Sequence, residues 1–263
     1  NNGKGKFSDA TLRLAPELGE AGMITEAIWA DLDRDGDLDL TVVGDWMSIK
    51  MFSNKKGKFT LMDNGLAEFT GFWSGLTSGD FDLDGDVDLV VGNLGTNTKL
   101  RKSVDGRLKM YIKDIDKNDT KEHIIGYSRG DAYYPINSKD EMGKQIPSII
   151  NKKYTAYHMF AGKSLEELFG EKELSGAVER SINTFESVYL ENLGGGKFKK
   201  SNLPSLAQVS KVMVLRSEDV DKDGYLDVIL GGNFNGSSMY QARYDAFFGL
   251  ILKGNGKGKF TVL

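Results

Sequence analysis

DLDRDGDLDLTVVG, residues 31 to 44, returns as DFDLDGDVDLVVG at 80 to 92 and as DVDKDGYLDVILGG at 219 to 232. Each copy sets aspartates at loop positions 1, 3, 5 and 9 around a glycine at position 6. Carboxylates this close repel one another unless a cation lies between them, and an all-oxygen donor set with a sharp glycine turn suits Ca²⁺. Mg²⁺ holds its waters more firmly and takes fewer protein ligands. Position 7 lends a backbone carbonyl in such loops. The expected donors are therefore Asp31, Asp33, Asp35, Asp37 and Asp39 in the first loop and Asp80, Asp82, Asp84, Asp86 and Asp88 in the second. In the third they are Asp219, Asp221, Asp223, Tyr225 and Asp227.

An EF-hand opens the same way, but it needs a bidentate Glu at position 12 and flanking helices. Position 12 here is Val42, Val91 and Leu230, inside short β-branched runs that end in glycine and read as buried strands. A metal-free acidic turn would not repeat one spacing three times. A degenerate fourth copy, DIDKNDTKE at 114 to 122, keeps Asp114, Asp116, Asn118, Thr120 and Glu122 in the ligand positions. Asp119 replaces the glycine, and Asp tolerates a left-handed turn better than most residues. The expectation is three Ca²⁺ sites and a fourth in the degenerate loop. The glycosylation-type triplet Asn118-Asp119-Thr120 overlaps that loop, so a glycan there would compete with the metal; Asn235-Gly236-Ser237 is freer.

A second phrase recurs as GKGKF (3 to 7), KGKF (56 to 59), GGGKF (194 to 198) and GKGKF (256 to 260). Glycine between two apolar-alternating runs signals a hairpin, and the phrase lacks the spacing of a phosphate loop. Each unit then reads strand, metal loop, strand, strand, turn, strand. Four antiparallel strands per unit of about 50 residues is the signature of a propeller blade. The expected fold is an all-β β-propeller of four-stranded blades, about four to five in this chain. The expected units run 8 to 59, 60 to 108, 109 to 198 and 199 to 260, as one domain over residues 1 to 263. One irregularity stands out. From Phe7, Phe59 and Phe198 to the next loop the gaps are 24, 21 and 21 residues, but from Leu108 to Asp114 only 6. The third unit also carries an insertion, helical over about 137 to 180, where Ser164 and Glu167 form a capping box and Pro147 ends or kinks the first helix.

Composition agrees with a many-stranded domain: 263 residues, 40% hydrophobic, 32 Gly and only 4 Pro. The absence of cysteine removes disulfides, thiolate metal sites and a cysteine nucleophile. The loops hold 18 of the 38 acidic residues, so four bound Ca²⁺ would turn a net charge of −4 into +4. Neither value, nor the short lysine clusters, points to nucleic acid. No apolar run is long enough to span a membrane. The opening NNGKGKF reads as the end of a repeat, which predicts a segment of a larger or processed protein.

Taken together, the metal loops, the DL-x-x-x-G strands and the NxGxGxF turns resemble the FG-GAP or VCBS repeat superfamily, which includes the integrin α-subunit propeller. The resemblance is nearest to bacterial cell-surface VCBS-repeat proteins related to the cartilage acidic protein family. It implies a calcium-stabilised β-propeller on the cell surface or in the periplasm, binding a glycan or protein ligand. Members of the superfamily also include polysaccharide lyases, so a propeller enzyme is the alternative. The departures are Asp119 and Glu122 in the fourth loop, the short gap and the insertion.

Residues after each inner strand fall at equivalent places in a repeat and would converge on one end of a propeller. Asp45, Trp46, Asn93, Asn233 and Phe234, with Trp73, Tyr133 and Tyr134 nearby, would offer stacking and hydrogen bonds to a ligand. The plainer account is that the amides form turns and the aromatics pack between blades. GYSRG at 126 to 130 fits a nucleophile elbow at Ser128, but that elbow needs a helix behind it, and only His123 and His158 exist as bases. No catalytic residue is assigned.

Overall fold

The computed structural model describes residues 3–100, 107–237 and 243–263. The chain divides into two compact units, one from Asn1–Asn97, Phe185–Asn235 and Tyr244–Leu263, the other from Thr98–Thr184 with Gly236–Arg243.

In the first unit a short helix, α1 (Thr11–Leu14), and a 3₁₀ turn lead into β1 (Met23–Ala30). Then come β2 (Asp39–Ser48), β3 (Lys50–Lys55) and β4 (Lys58–Leu61), paired in that order, with β5 (Thr70–Phe72) added along β2. The turn from β3 to β4 is two residues, Lys56 and Gly57, both at positive φ (55° and 81°), which matches the twist of the strands it joins. The next blade begins with β6 (Leu76–Gly79) and β7 (Asp88–Val91). The chain then leaves to build β8 (Leu108–Lys113), β9 (Glu122–Arg129), β10 (Ala132–Pro135) and β11 (Val178–Ile182) in the second unit. It returns with β12 (Val188–Asn192) and β13 (Phe198–Asn202), and β12 pairs with β7. A third sheet follows from β14 (Val214–Glu218), β15 (Asp227–Gly231), β16 (Leu250–Gly254) and β17 (Phe260–Val262).

All residues of β7 are buried because both its faces are covered. Leu89 and Val91 pack with Val43, Met51, Trp73 and Leu190, while Val90 packs with Phe81, Val212, Leu215 and Val228. This explains the unbroken apolar run DLVV, since an alternating strand would leave one face polar. Full burial of each such side chain stabilises by about 1.5–3 kcal/mol. Trp73 is fully buried, and its indole N–H donates to the Met47 carbonyl at 3.0 Å, so the ring enters the core without an orphaned donor.

The second unit pairs its strands in the order β10-β9-β8-β11, so its last strand lies on the opposite edge from a blade's. Five helices link β10 to β11: α2 (Lys139–Gln145), α3 (Pro147–Lys153), α4 (Tyr157–Phe160), α5 (Leu165–Phe169) and α6 (Glu171–Leu174). Ser164 and Glu167 form the expected capping box, and Ser138 with Glu141 forms a second. Pro147 begins α3 rather than kinking one longer helix, because a first-turn residue needs no N–H. Met142, Ile146, Ile150, Leu165 and Leu168 bury themselves with Tyr111 and Ile124 of the sheet.

Three expectations change. The hairpin at residues 188–202 belongs with β6 and β7, not with a unit running from 109 to 198, and the inserted chain has its own sheet as well as helices. The gap of 6 residues is accounted for, since β8 opens the inserted sheet directly. Residues 178–180, read as helical, are the start of β11.

Candidate metal centres

In every loop the residues at positions 4 and 6 are left-handed. They are Arg34 and Gly36 (φ 60° and 89°), Leu83 and Gly85 (62° and 86°), Lys117 and Asp119 (61° and 65°), and Lys222 and Gly224 (61° and 90°). Asp119 thus takes the glycine's turn. The position-6 N–H donates to the position-1 carboxylate, at 3.1 Å to Asp31, 3.0 Å to Asp80, 2.9 Å to Asp114 and 3.0 Å to Asp219. The position-7 N–H donates to the position-5 side chain, at 2.9 Å to Asp35, 2.8 Å to Asp84, 2.8 Å to Asn118 and 3.0 Å to Asp223.

Position 9 opens the following strand and is buried in all four loops, as Asp39, Asp88, Glu122 and Asp227. Its carboxylate accepts from the position-2 N–H, at 2.9 Å from Leu32, 3.2 Å from Phe81, 2.7 Å from Ile115 and 3.1 Å from Val220. In the three blades it also accepts from the third strand, at 2.8 Å from Asn54, 2.8 Å from Asn192 and 2.9 Å from Gly254. Asp88 takes a further bond from the Tyr189 hydroxyl at 2.7 Å. Burial pushes the Asp88 carboxyl up to about 6 despite these donors.

In each loop one oxygen from positions 1, 3 and 9 lies within 4.8 Å of the other two. Oxygens sharing one Ca²⁺ at about 2.3–2.6 Å lie no more than about 5 Å apart, so the spacing fits. A sharper test is the fate of the buried oxygens. Asp31 Oδ1, Asp80 Oδ1 and Asp116 Oδ1 are buried without a hydrogen-bond partner. A carboxylate oxygen cut off from water and from any donor is costly, and a hard cation supplies what it lacks. These three loops fit Ca²⁺: positions 1, 3, 5 and 9 would give side-chain oxygens and position 7 a carbonyl.

The loops differ in what faces the position-3 carboxylate. Ser53 donates to Asp33 at 3.3 Å, and Ser148 of α3 donates to Asp116 at 2.6 Å. At the place of Ser53, the second blade has Glu191, which pairs with Lys199 at 2.9 Å, and the third has Lys253. Lys253 bonds Asp221 and lies 2.9 Å from Asp223 Oδ2. Its ammonium holds the Asp223 carboxyl below the usual range, and the two carboxylates raise Lys253. Asp82 goes the other way, raised by burial and by the neighbouring Asp84, Asp80 and Glu191.

At the proposed ligand face several side chains also serve the fold. The Asn93 amide accepts from the Phe72 and Leu94 N–H groups at 3.0 and 2.8 Å and donates to the Glu186 carbonyl at 3.2 Å. Asn233 clamps Phe247 from both sides, at 2.9 and 3.1 Å. Both amides are used by backbone. Trp46 is buried at positive φ (58°), edge-on to Phe72. Trp73 is core, and Tyr133 and Tyr134 lie on β10 in the second unit. Asp45 and Phe234 do share a neighbour that sequence reading missed. The nearly buried Lys211 lies 3.9 Å from Asp45 and 5.0 Å from the centre of the Phe234 ring. Burial raises the Asp45 carboxyl and Lys211 counters it. Ser128 sits within β9, which turns at Gly130 into β10, so no strand-to-helix elbow forms there; His123 and His158 are exposed.

Residues 31–91 match the family model of the FG-GAP-like repeat, a span that takes in the first two metal loops and ends with β7. No match was found among curated proteins. The repeat and the antiparallel four-stranded sheets agree on an all-β, propeller-like fold.

Proposed function

We propose that the chain is a calcium-stabilised binding and scaffold module of the cell exterior or periplasm. The observation that carries this reading is the set of buried, unpartnered oxygens on Asp31, Asp80 and Asp116, each beside two further carboxylates. Such loops bind only as a folded cluster, so metal binding adds to folding stability. The cation's part is structural. The glycan or protein ligand is held noncovalently, without catalysis, and the FG-GAP-like repeat supports a role of this kind. The nearer kinship to VCBS-repeat and cartilage acidic proteins belongs to the same reading. At the ligand face Asp45, Phe234 and the exposed Asn233 reach the surface, while Asn93 and Lys211 are buried behind them.

The test is thermal melting after exhaustive EGTA dialysis. Melting temperature falls sharply and Ca²⁺ restores it better than equimolar Mg²⁺; unchanged melting would overturn the calcium reading. A glycan and protein binding screen in calcium, repeated with Phe234→Ala, tests the ligand face.

A further inference from the structure

We propose that Lys253 is a built-in cation: its ammonium takes the metal's place in the loop 219–227, which therefore does not bind Ca²⁺ in the range in which the loops 31–39 and 80–88 do. The inference rests on the calcium reading above for those two loops.

Strand register carries the argument. Ser53, Glu191 and Lys253 each precede the residue whose N–H donates to the position-9 carboxylate, so all three occupy one place in the blade. A side chain there reaches the loop, as Ser53 does with Asp33. In the third blade it is a lysine, whose compact charge and three donors satisfy the carboxylates of positions 3 and 5 together. The remaining oxygens are accounted for as well. Asp219 accepts from Asp223 and Gly224 at 3.1 and 3.0 Å, and no oxygen of this loop is among the buried, unpartnered ones. The loops 31–39, 80–88 and 114–122 each have one. A divalent ion entering between Asp219, Asp221 and Asp227 would meet a fixed positive charge already bonded to its ligands and would have to expel it.

The experiment is calcium titration calorimetry on the full chain, with Asp82→Ala, Asp221→Ala, Lys253→Met and Lys253→Arg alongside. Asp82→Ala lowers the bound Ca²⁺ by one per chain, Asp221→Ala leaves it unchanged, Lys253→Met raises it by one, and Lys253→Arg behaves as the wild type. Loss of one Ca²⁺ in Asp221→Ala, with no gain in Lys253→Met, would overturn the proposal. Absence of calcium binding in every variant would sink the calcium reading instead, and melting in EDTA then decides on the lysine. Lys253→Met lowers the melting temperature more than Lys199→Met if the ammonium neutralises the loop, and equal melting of the two rejects it.

Discussion

The loops 80–88 and 219–227 follow one backbone path and bury the same position-9 aspartate, yet the third strand meets them with opposite charges. Glu191 stands beside the first and Lys253 beside the second. A second contrast lies one residue further on. Asn192 donates from its amide to the carbonyls of Val87 and Leu32 at 3.1 and 2.9 Å, tying the turn of its own blade to the neighbouring loop. Its counterpart is Gly254, where a Cβ would stand 2.1 Å from the Leu226 carbonyl. The spacing of aspartates thus fixes the turn, while the strand opposite fixes whether the turn still needs a cation. By that measure the degenerate loop 114–122, with a neutral Ser148 and an unpartnered Asp116 oxygen, stands nearer to 31–39 than the better-matched 219–227 does.

The loop 80–88 also differs in being closed by chain that returns from the second unit, and cutting that detour gives the largest expected effect. Replacing residues 137–180 by a short Gly-Ser linker removes Ile146, Ile150, Leu165 and Leu168, all fully buried, from the face of Tyr111 and Ile124. At about 2–5 kcal/mol for each large side chain lost from a core, the second unit cannot hold. Excising residues 98–184 is the gentler cut. The Gly95 N–H donates to the Phe185 carbonyl at 2.8 Å, so the two ends already meet. Hydrogen exchange should show the shorter deletion unprotected across residues 108–129 and the longer one still protected at β7 and β12. The reverse order would mean that the helices are an appendage.

Next in size is the position-9 carboxylate itself. Asp88→Ala orphans the N–H groups of Phe81 and Asn192 and the Tyr189 hydroxyl, at about 1–3 kcal/mol each, so a loss of about 3–9 kcal/mol is expected. Asp227→Ala orphans only Val220 and Gly254 and should cost about one such group less, about 2–6 kcal/mol. Urea unfolding in EDTA measures both, and equal losses would show that the Tyr189 bond contributes nothing.

The sequence made the blades legible because loop spacing, apolar runs and glycine turns are all local. β2, β7 and β15 follow their loops as drawn. The partner of GGGKF was not legible, since pairing is decided by which strand needs its edge and face covered. β7 needed both, and the nearest hairpin in sequence was not the one that supplied them. Lys253 was hidden for a related reason. Its role appears only when the residue before each third-strand donor is aligned in register, as Ser53, Glu191 and Lys253. For Asn93 and Asn233 the sequence left two roles open, because an amide after a strand can serve a turn as well as a partner, and both amides are engaged with backbone.

Cation demand gives a third, smaller effect. Asp33→Ala and Asp116→Ala should each remove a similar part of the calcium-dependent stability, about 1–3 kcal/mol at saturating Ca²⁺, while Asp221→Ala removes none. Melting with and without Ca²⁺ compares them. A loss in Asp221→Ala alone would restore the ranking by sequence match.

The smallest effect concerns the bridge between neighbouring loops. Arg34, at position 4 of the first loop, sends its guanidinium to the second, with Nε 2.5 Å from Asp86 Oδ1 and Nη2 donating to the Asp84 carbonyl at 3.0 Å. Its side chain remains half exposed, so water and salt screen the pair, and Arg34→Ala should cost about 0.2–1 kcal/mol. Because the contact is between charges, the difference from wild type should shrink in high salt. Arg34 is a positive charge held at the rim of loop 80–88, so its removal should tighten calcium there by a few-fold even as it loosens the apo fold. Unchanged calcium affinity in Arg34→Ala would show that a charge paired with the position-7 carboxylate is screened out and that only groups bonded to the position-3 and position-5 carboxylates together, as Lys253 is, set the demand for a cation.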